Sequence, residues 1–143
     1  MLGVTLMTAV GFDFDHGRLD ISHHPFCNGV PSDVRMTTRY TTHEFLSSLM
    51  GILHETGHGL YEHGVSRDFE RTPLAHGASL GFHESQSRMW ENMVGRSLPF
   101  WRHFYPQLQA TFPKALSAAS LDDWYRSVNW VAPSLIRVEA DEA

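Results

Sequence analysis

The sequence predicts a mainly α fold with a small β-sheet, and three observations carry that prediction. Apolar residues recur at helical spacing over residues 41–64 and again over 79–94. Between residues 18 and 40 they alternate instead, as they do along half-buried strands. Towards the C-terminus, an aromatic-rich stretch at 99–112 and a capped segment from Ser120 add further helical material.

Residues 1–15 are ambiguous, and the end of a helix is one reading of them. The chain opens in apolar packing material without a helix-start signal, which suggests that something preceded it in a larger ancestor. Residues 1–10 lack a basic flank and run straight into Gly11-Phe12-Asp13-Phe14-Asp15, so they do not read as a secretion signal. From Arg18 to Phe26, Leu19, Ile21 and His23 alternate with Asp20, Ser22 and His24 up to Pro25, which predicts a short strand or extended edge. A polar turn entering Cys27-Asn28-Gly29-Val30-Pro31 accounts for His23 and His24 better than metal ligation does. Asp33-Val34-Arg35-Met36-Thr37-Thr38-Arg39-Tyr40 alternates again and is rich in β-branched residues, a strand leading into the next helix. Arg35 and Arg39 are either surface ion-pair partners or groups that meet the carboxylate of an extended peptide added to this strand.

The helix at 41–64 has a capping-box pattern in Thr41 and Glu44. Phe45, Leu46, Leu49, Ile52, Leu53 and Leu60 fall at its apolar positions, and Gly64 is a candidate residue just past its end. Gly57 and Gly59 each weaken such a helix by roughly 1 kcal/mol relative to Ala. That cost suggests the close approach of another backbone. A loop at 65–77 carries the chain back, with His63 and His76 at its ends as surface histidines. In the next helix Leu80, Phe82, Met89, Trp90 and Met93 suit a buried face, while Glu84, Arg88 and Glu91 recur at i, i+4 and i+7. The stretch holding Phe100, Trp101, Phe104, Tyr105 and Phe112 reads as core or interface packing, kinked or ended near Tyr105 by Pro106. Ser120 and Asp123 cap a short helix to about Asn129, and Pro133 breaks it.

At 143 residues and 42% apolar content, residues 1–143 read as a single partial domain. A net charge of −5, with only 11 scattered Lys and Arg, offers no basic footprint for nucleic acid. No stretch is long enough to span a membrane. Cys27, the single cysteine, excludes an internal disulfide and fits a reducing compartment, so a soluble cytoplasmic protein is expected.

Within the first long helix lies His54-Glu55-Thr56-Gly57-His58. Residues four apart on a helix stand one above the other, so His54 and His58 can offer imidazole nitrogens to one ion, with Glu55 beside them to take a proton from its bound water. With 10 histidines in the chain, an H-E-x-x-H string arises by chance about once in thirty such sequences, so context must support it. Helical placement does so, and so does Glu84 on the following helix. Folded back antiparallel, that helix would bring Glu84 in as a third ligand and leave a fourth position open, as in catalytic zinc sites. A surface ion pair between Glu84 and Arg88 is the alternative use of Glu84. If Glu84 is a ligand, Arg88 or His83 becomes a supporting group behind the ligands.

Five stretches in order resemble the M32 metallocarboxypeptidases, the thermostable-carboxypeptidase Taq group. They are His24-Pro25-Phe26, the strand from Asp33 to Tyr40, the run His54 to His58, His83-Glu84-Ser85-Gln86, and Ile136-Arg137-Val138-Glu139-Ala140-Asp141. The resemblance implies a zincin-like helical metallopeptidase core with a small antiparallel sheet beside the active-site groove. It further implies removal of C-terminal residues from peptides that carry a free C-terminal carboxylate. Zn2+, or Co2+ or another divalent ion, would be bound at one per chain, and the complete enzymes would be homodimers. By position in the motifs, His54, His58 and Glu84 are the implied metal ligands and Glu55 the general base. Arg137 is the implied carboxylate-recognition residue, with Arg35 a second candidate. Family members are several times longer, and a later G-x-x-Q-D-x-H-W motif is not found before Ala143, so the chain resembles a fragment. The rival reading is a catalytically inactive metal-binding or assembly fragment. An endopeptidase or aminopeptidase would share the same first ligands.

Overall fold

The longest helix, α2 (Leu46–His63), buries Leu49, Met50, Ile52 and Leu53 on the face predicted from their spacing. The computed structural model describes residues 2–40 and 45–132, so the proposed Thr41–Glu44 capping box lies outside the described residues. Phe45 occupies the N-cap position without a side-chain cap bond. At the other end Gly64 has φ −77°, so this terminus makes no use of glycine's left-handed freedom. The sequence reads as one partial domain; in the structure the chain divides into two compact units, Met1–Ser97 and Leu98–Ala143.

In the first unit, helix α1 (Leu2–Ala9) precedes strands β1 (Gly17–Ile21), β2 (Phe26–Val30) and β3 (Asp33–Thr38). The strand order is β1-β3-β2. β3 pairs antiparallel with β2 and parallel with β1, so the sheet is mixed where the sequence reading expects it to be antiparallel. The reason lies at residues 22–25. Ser22 hydrogen-bonds across the end of β3, from its N to the Thr38 carbonyl and from its Oγ to Thr37 Oγ1. The chain thereby crosses to the other side of β3 and does not double back on β1. Residues 26–30, which the sequence reading did not assign to a strand beyond Phe26, therefore form one. Val34 and Met36 point from β3 into a core with Met7, Phe12 and Ile52, and Leu60 and Cys27 pack at its margin.

α2 is pressed on two sides, and its glycines mark both. A Cβ on Gly59 would lie 2.6 Å from Met36 Cε on the sheet side, and one on Gly57 would lie 2.6 Å from Ser87 Cα and 2.7 Å from the Gln86 carbonyl oxygen. The backbone approach inferred from the sequence is thus real at Gly57, and its partner is helix α3 (Leu80–Arg88). Ser79 caps α3 by accepting from the Phe82 N–H. From Met89 to Val94 the backbone opens into a π-helical turn, closed by Gly95 N–H donating to the Trp90 carbonyl at 2.8 Å.

The predicted buried face of this segment is corrected by the structure. Leu80 (90%), Phe82 (62%) and Met93 (74%) are exposed, Met89 is also exposed, and only Trp90 is half-buried. The small Ser87 and the charged side of the helix face α2 instead, because only a small residue fits against Gly57 at this separation.

In the second unit, α4 (Leu98–Thr111) continues through Pro106, which is exposed, and does not end at Tyr105. Its face Phe100, Trp101, Phe104, Tyr105 and Leu108 is buried. A short helix, α5 (Pro113–Leu116), leads to α6 (Leu121–Val128), where Ser120 and Asp123 form the predicted capping box. Trp124 of α6 meets the Trp101 ring edge-on at 4.9 Å.

Two glycines of the motif helix, Gly51 and Gly57, should respond in opposite ways to alanine. Gly57→Ala should destabilise the chain by about 1–3 kcal/mol, since its methyl has no room against α3. Gly51, with nothing within 4 Å of its Cβ position, should gain about 1 kcal/mol as Ala. Urea denaturation midpoints measure both.

Candidate metal centre

His54 and His58 lie one helical turn apart on α2, and the approach of α3 at Gly57 brings Glu84 to them. His54 Nε2 and His58 Nε2 are 3.2 Å apart. Glu84 Oε1 is 3.6 Å from His54 Nε2, and its Oε2 is 3.3 Å from His58 Nε2. Bonds of about 2.0–2.1 Å at tetrahedral angles put neighbouring ligand atoms about 3.3–3.4 Å apart. The three donor atoms therefore already stand at the edges of a site that a divalent ion fits, and two imidazoles with one carboxylate are the donors expected for it. Among the described residues this is the one group of three or more His, Cys, Asp or Glu with that arrangement.

Each histidine is held from behind. His54 Nδ1 lies 2.9 Å from Glu91 Oε2, and its N–H donates to that carboxylate, leaving the Nε2 lone pair facing the site. His58 Nδ1 lies 2.6 Å from His83 Nδ1, and His83 Nε2 lies 2.6 Å from Glu62 Oε1. Arg88 joins the two acids of the second helix, with Nε donating to Glu84 Oε1 at 3.1 Å and Nη1 to Glu91 Oε2 at 3.0 Å. The sequence pointed to His83 and Arg88 as supporting groups. It missed Glu62 and gave Glu91 no role, although the seven-residue spacing from Glu84 to Glu91 places both on one helix face.

Burial sets the electrostatics. It pushes His58 down to about 4, assisted by the nearby His54 and His83 rings. For His54, burial also opposes the charged ring, but the hydrogen bond to Glu91 and the charges of Glu84, Glu91 and Glu55 outweigh it and raise the pKa. Burial works against the Glu91 carboxylate too, yet His54 and Arg88 hold its pKa below the ordinary value. Glu55 is buried in the same helix. Cys27 is pushed up to about 12 by burial and by the charges of Glu55 and Glu62, so it is no nucleophile near neutral pH.

The remaining sequence candidates fall elsewhere. Arg35 forks onto Asp33, with Nη2 at 2.9 Å, on the exposed face of β3 opposite Met36 and so turned away from α2. Arg137 lies outside the described residues. Neither His23 nor His24 reaches the cluster, and both are exposed. His76 is exposed as expected, whereas His63 is half-buried, with its ring stacked on Phe12 at 5.0 Å and Nε2 bonded to the His16 carbonyl.

With this geometry in place, the family description that matches residues 1–143 is Carboxypeptidase Taq (M32) metallopeptidase. The chain belongs to this family. It is 51% identical over 138 residues to Thermostable carboxypeptidase 1 of Thermus thermophilus, covering 96% of this chain and 27% of that protein. Carboxypeptidase 1 of Bacillus subtilis is 44% identical over 142 residues, covering 99% and 28%. The crystal structure of the M32 carboxypeptidase from Deinococcus radiodurans R1 superposes with a TM-score of 0.93 at 45% identity, covering 96% of this chain and 28% of that one. This M32 chain thus spans a little over a quarter of the length of the relatives it matches.

The perturbed histidines make the stability of the metal-free chain depend on pH. His58 has a folded pKa of about 4 against an ordinary 6.5, so unfolding takes up a proton between those values. Its contribution is complete above pH 6.5 and is lost as pH falls towards 4. His54, being raised, acts in the opposite sense: its contribution is present below pH 6.5 and lost as pH rises through the raised value. Urea midpoints between pH 4 and 6.5 should therefore climb with pH, and His58→Gln should flatten that climb.

Proposed function

We propose that this chain is the metal-bearing part of a carboxypeptidase that releases C-terminal residues from peptides, with His54, His58 and Glu84 holding one divalent ion and Glu55 acting as the general base. The observation that carries the reading is the spacing of the three donor atoms, 3.2, 3.3 and 3.6 Å, close to the edges of a tetrahedral zinc site. Membership of the M32 family supports the reaction class. An ion held there supplies Lewis-acid chemistry, polarising the scissile carbonyl and making a water molecule easier to deprotonate. Glu55 takes that proton on its carboxylate and delivers it to the departing amine. Glu91 and Arg88 keep His54 and Glu84 oriented while this happens. Arg137 pairs with the substrate's free carboxylate, an assignment supported by its place in the Ile136-to-Asp141 motif. Zinc is the proposed ion, the complete enzyme is proposed as a cytoplasmic homodimer, and a single cysteine suits that compartment. No described helix is long and apolar enough to cross a membrane.

A second reading is favoured by the exposed apolar face of Leu80, Phe82 and Met93. On this reading the chain binds its ion but turns over only when that face is covered by the rest of such an enzyme.

Metal analysis and peptide assays test both readings. The chain should carry about one divalent ion, lost in His54→Ala and in Glu84→Ala. Glu55→Gln should keep the ion and lose about 10²–10⁴-fold in kcat. Amidating the substrate's C-terminus should abolish cleavage; equal cleavage of amidated peptide would sink the carboxypeptidase assignment. Metal uptake without any turnover would select the second reading.

A further inference from the structure

We infer that Glu62 is a positioning residue which, acting through His83, fixes the tautomer of His58 and so sets the affinity of the site for its ion. The inference rests on the reading of His54, His58 and Glu84 as the ligand set. It follows from a chain of three groups joined by two 2.6 Å contacts: Glu62 Oε1 to His83 Nε2, and His83 Nδ1 to His58 Nδ1. A carboxylate only accepts, so the direction of the whole chain is set from its far end. His83 donates from Nε2 to Glu62, which leaves its Nδ1 as an acceptor. His58 then donates from Nδ1, and its Nε2 lone pair faces His54 and Glu84, where a metal bond needs it.

The surroundings hold this relay in place. Glu62 stands one turn beyond His58 on α2 and His83 stands beside Glu84 on α3, so the relay ties together the same two helices that supply the ligands. The His83 ring sits edge-on to Tyr61 at 5.1 Å, while the Tyr61 hydroxyl accepts from Ala78 N–H at 3.1 Å just before α3 begins. Glu62 is 7% exposed, and its Oε2 is buried with no hydrogen-bond partner among the described residues. A buried carboxylate is costly to keep, and here His83 satisfies one of its two oxygens, Oε1. The two ligand histidines are thus oriented by unequal devices: Glu91 touches His54 directly, whereas Glu62 reaches His58 through a second ring.

The test combines 15N spectra of the imidazoles in the metal-free chain at neutral pH with Co2+ affinity measured by chelator competition. The native chain should show His58 protonated at Nδ1. His83→Phe should weaken Co2+ binding by about 10–100-fold and release the His58 tautomer. Glu62→Gln, which keeps size and shape, should weaken it in the same direction, and the double variant should be no weaker than His83→Phe alone, because the residues act as one unit. The inference is overturned if native His58 carries its proton on Nε2 or if Glu62→Gln leaves both affinity and tautomer unchanged. A fall in affinity with the native tautomer retained would also overturn it, since that marks a merely structural role. Should His83→Phe not fold, the native tautomer and Glu62→Gln still decide. Absence of Co2+ uptake by the native chain would refute the ligand set, while the His58 tautomer would still judge the relay.

Discussion

The approach of the Ser87 backbone to Gly57 is the constraint on which the rest of the first unit turns. At that separation no side chain fits between the helices, and the helix-weakening glycine of about 1 kcal/mol is tolerated because it lets two ligand-bearing surfaces meet. The consequences run outward from there. Glu84 reaches the two Nε2 atoms, Arg88 follows it across to Glu91, and His83 is carried into line between His58 and Glu62. On its other side α2 rests on Met36 and Phe12 through Gly59. The sheet therefore acts as a stop that keeps the motif helix from yielding when α3 presses on it.

Much of this was readable from local pattern. The His54-to-His58 run, the partner Glu84 and the reason for Gly57 each follow from helical spacing and backbone cost, and the Ser120–Asp123 cap from a four-residue signature. What escaped was decided by tertiary packing. Leu80, Phe82 and Met93 read as a buried face because periodicity detects an apolar stripe without saying which stripe wins the contact. The smallness required opposite Gly57 gave the contact to Ser87. Parallel pairing of β1 with β3 escaped for a similar reason, since alternation marks a strand but not its neighbour, and the deciding bonds from Ser22 are single polar contacts. Glu62 carries no short-range mark at all, and Glu91 carries only its helical spacing from Glu84 and Arg88. They matter only because helices from different parts of the chain place them behind imidazoles.

The polar cluster is heavily charged for its burial, and its members offset one another in pairs. Glu91 raises the pKa of His54 against the pull of burial, and His54 with Arg88 holds Glu91 ionised in return. His58 has no carboxylate on its own Nδ1, so burial and the neighbouring rings push it the other way. The two histidines of one motif are therefore electrostatically unlike, although the sequence treats them alike.

The π-helical turn at Met89–Val94 amounts to one surplus residue spliced into an α-helix. Trp90 bonds to Gly95 across five residues where an α-helix would use four, and Asn92 and Met93 at the widened point are exposed. A chain one residue shorter there would close the ladder into ordinary helix while keeping Glu91 beside its histidine and Gly95 beside Leu53. Loss of a single residue at this point is thus a silent respelling of the same site. Register across it is carried by the acid and the glycine, and not by the count of residues between them.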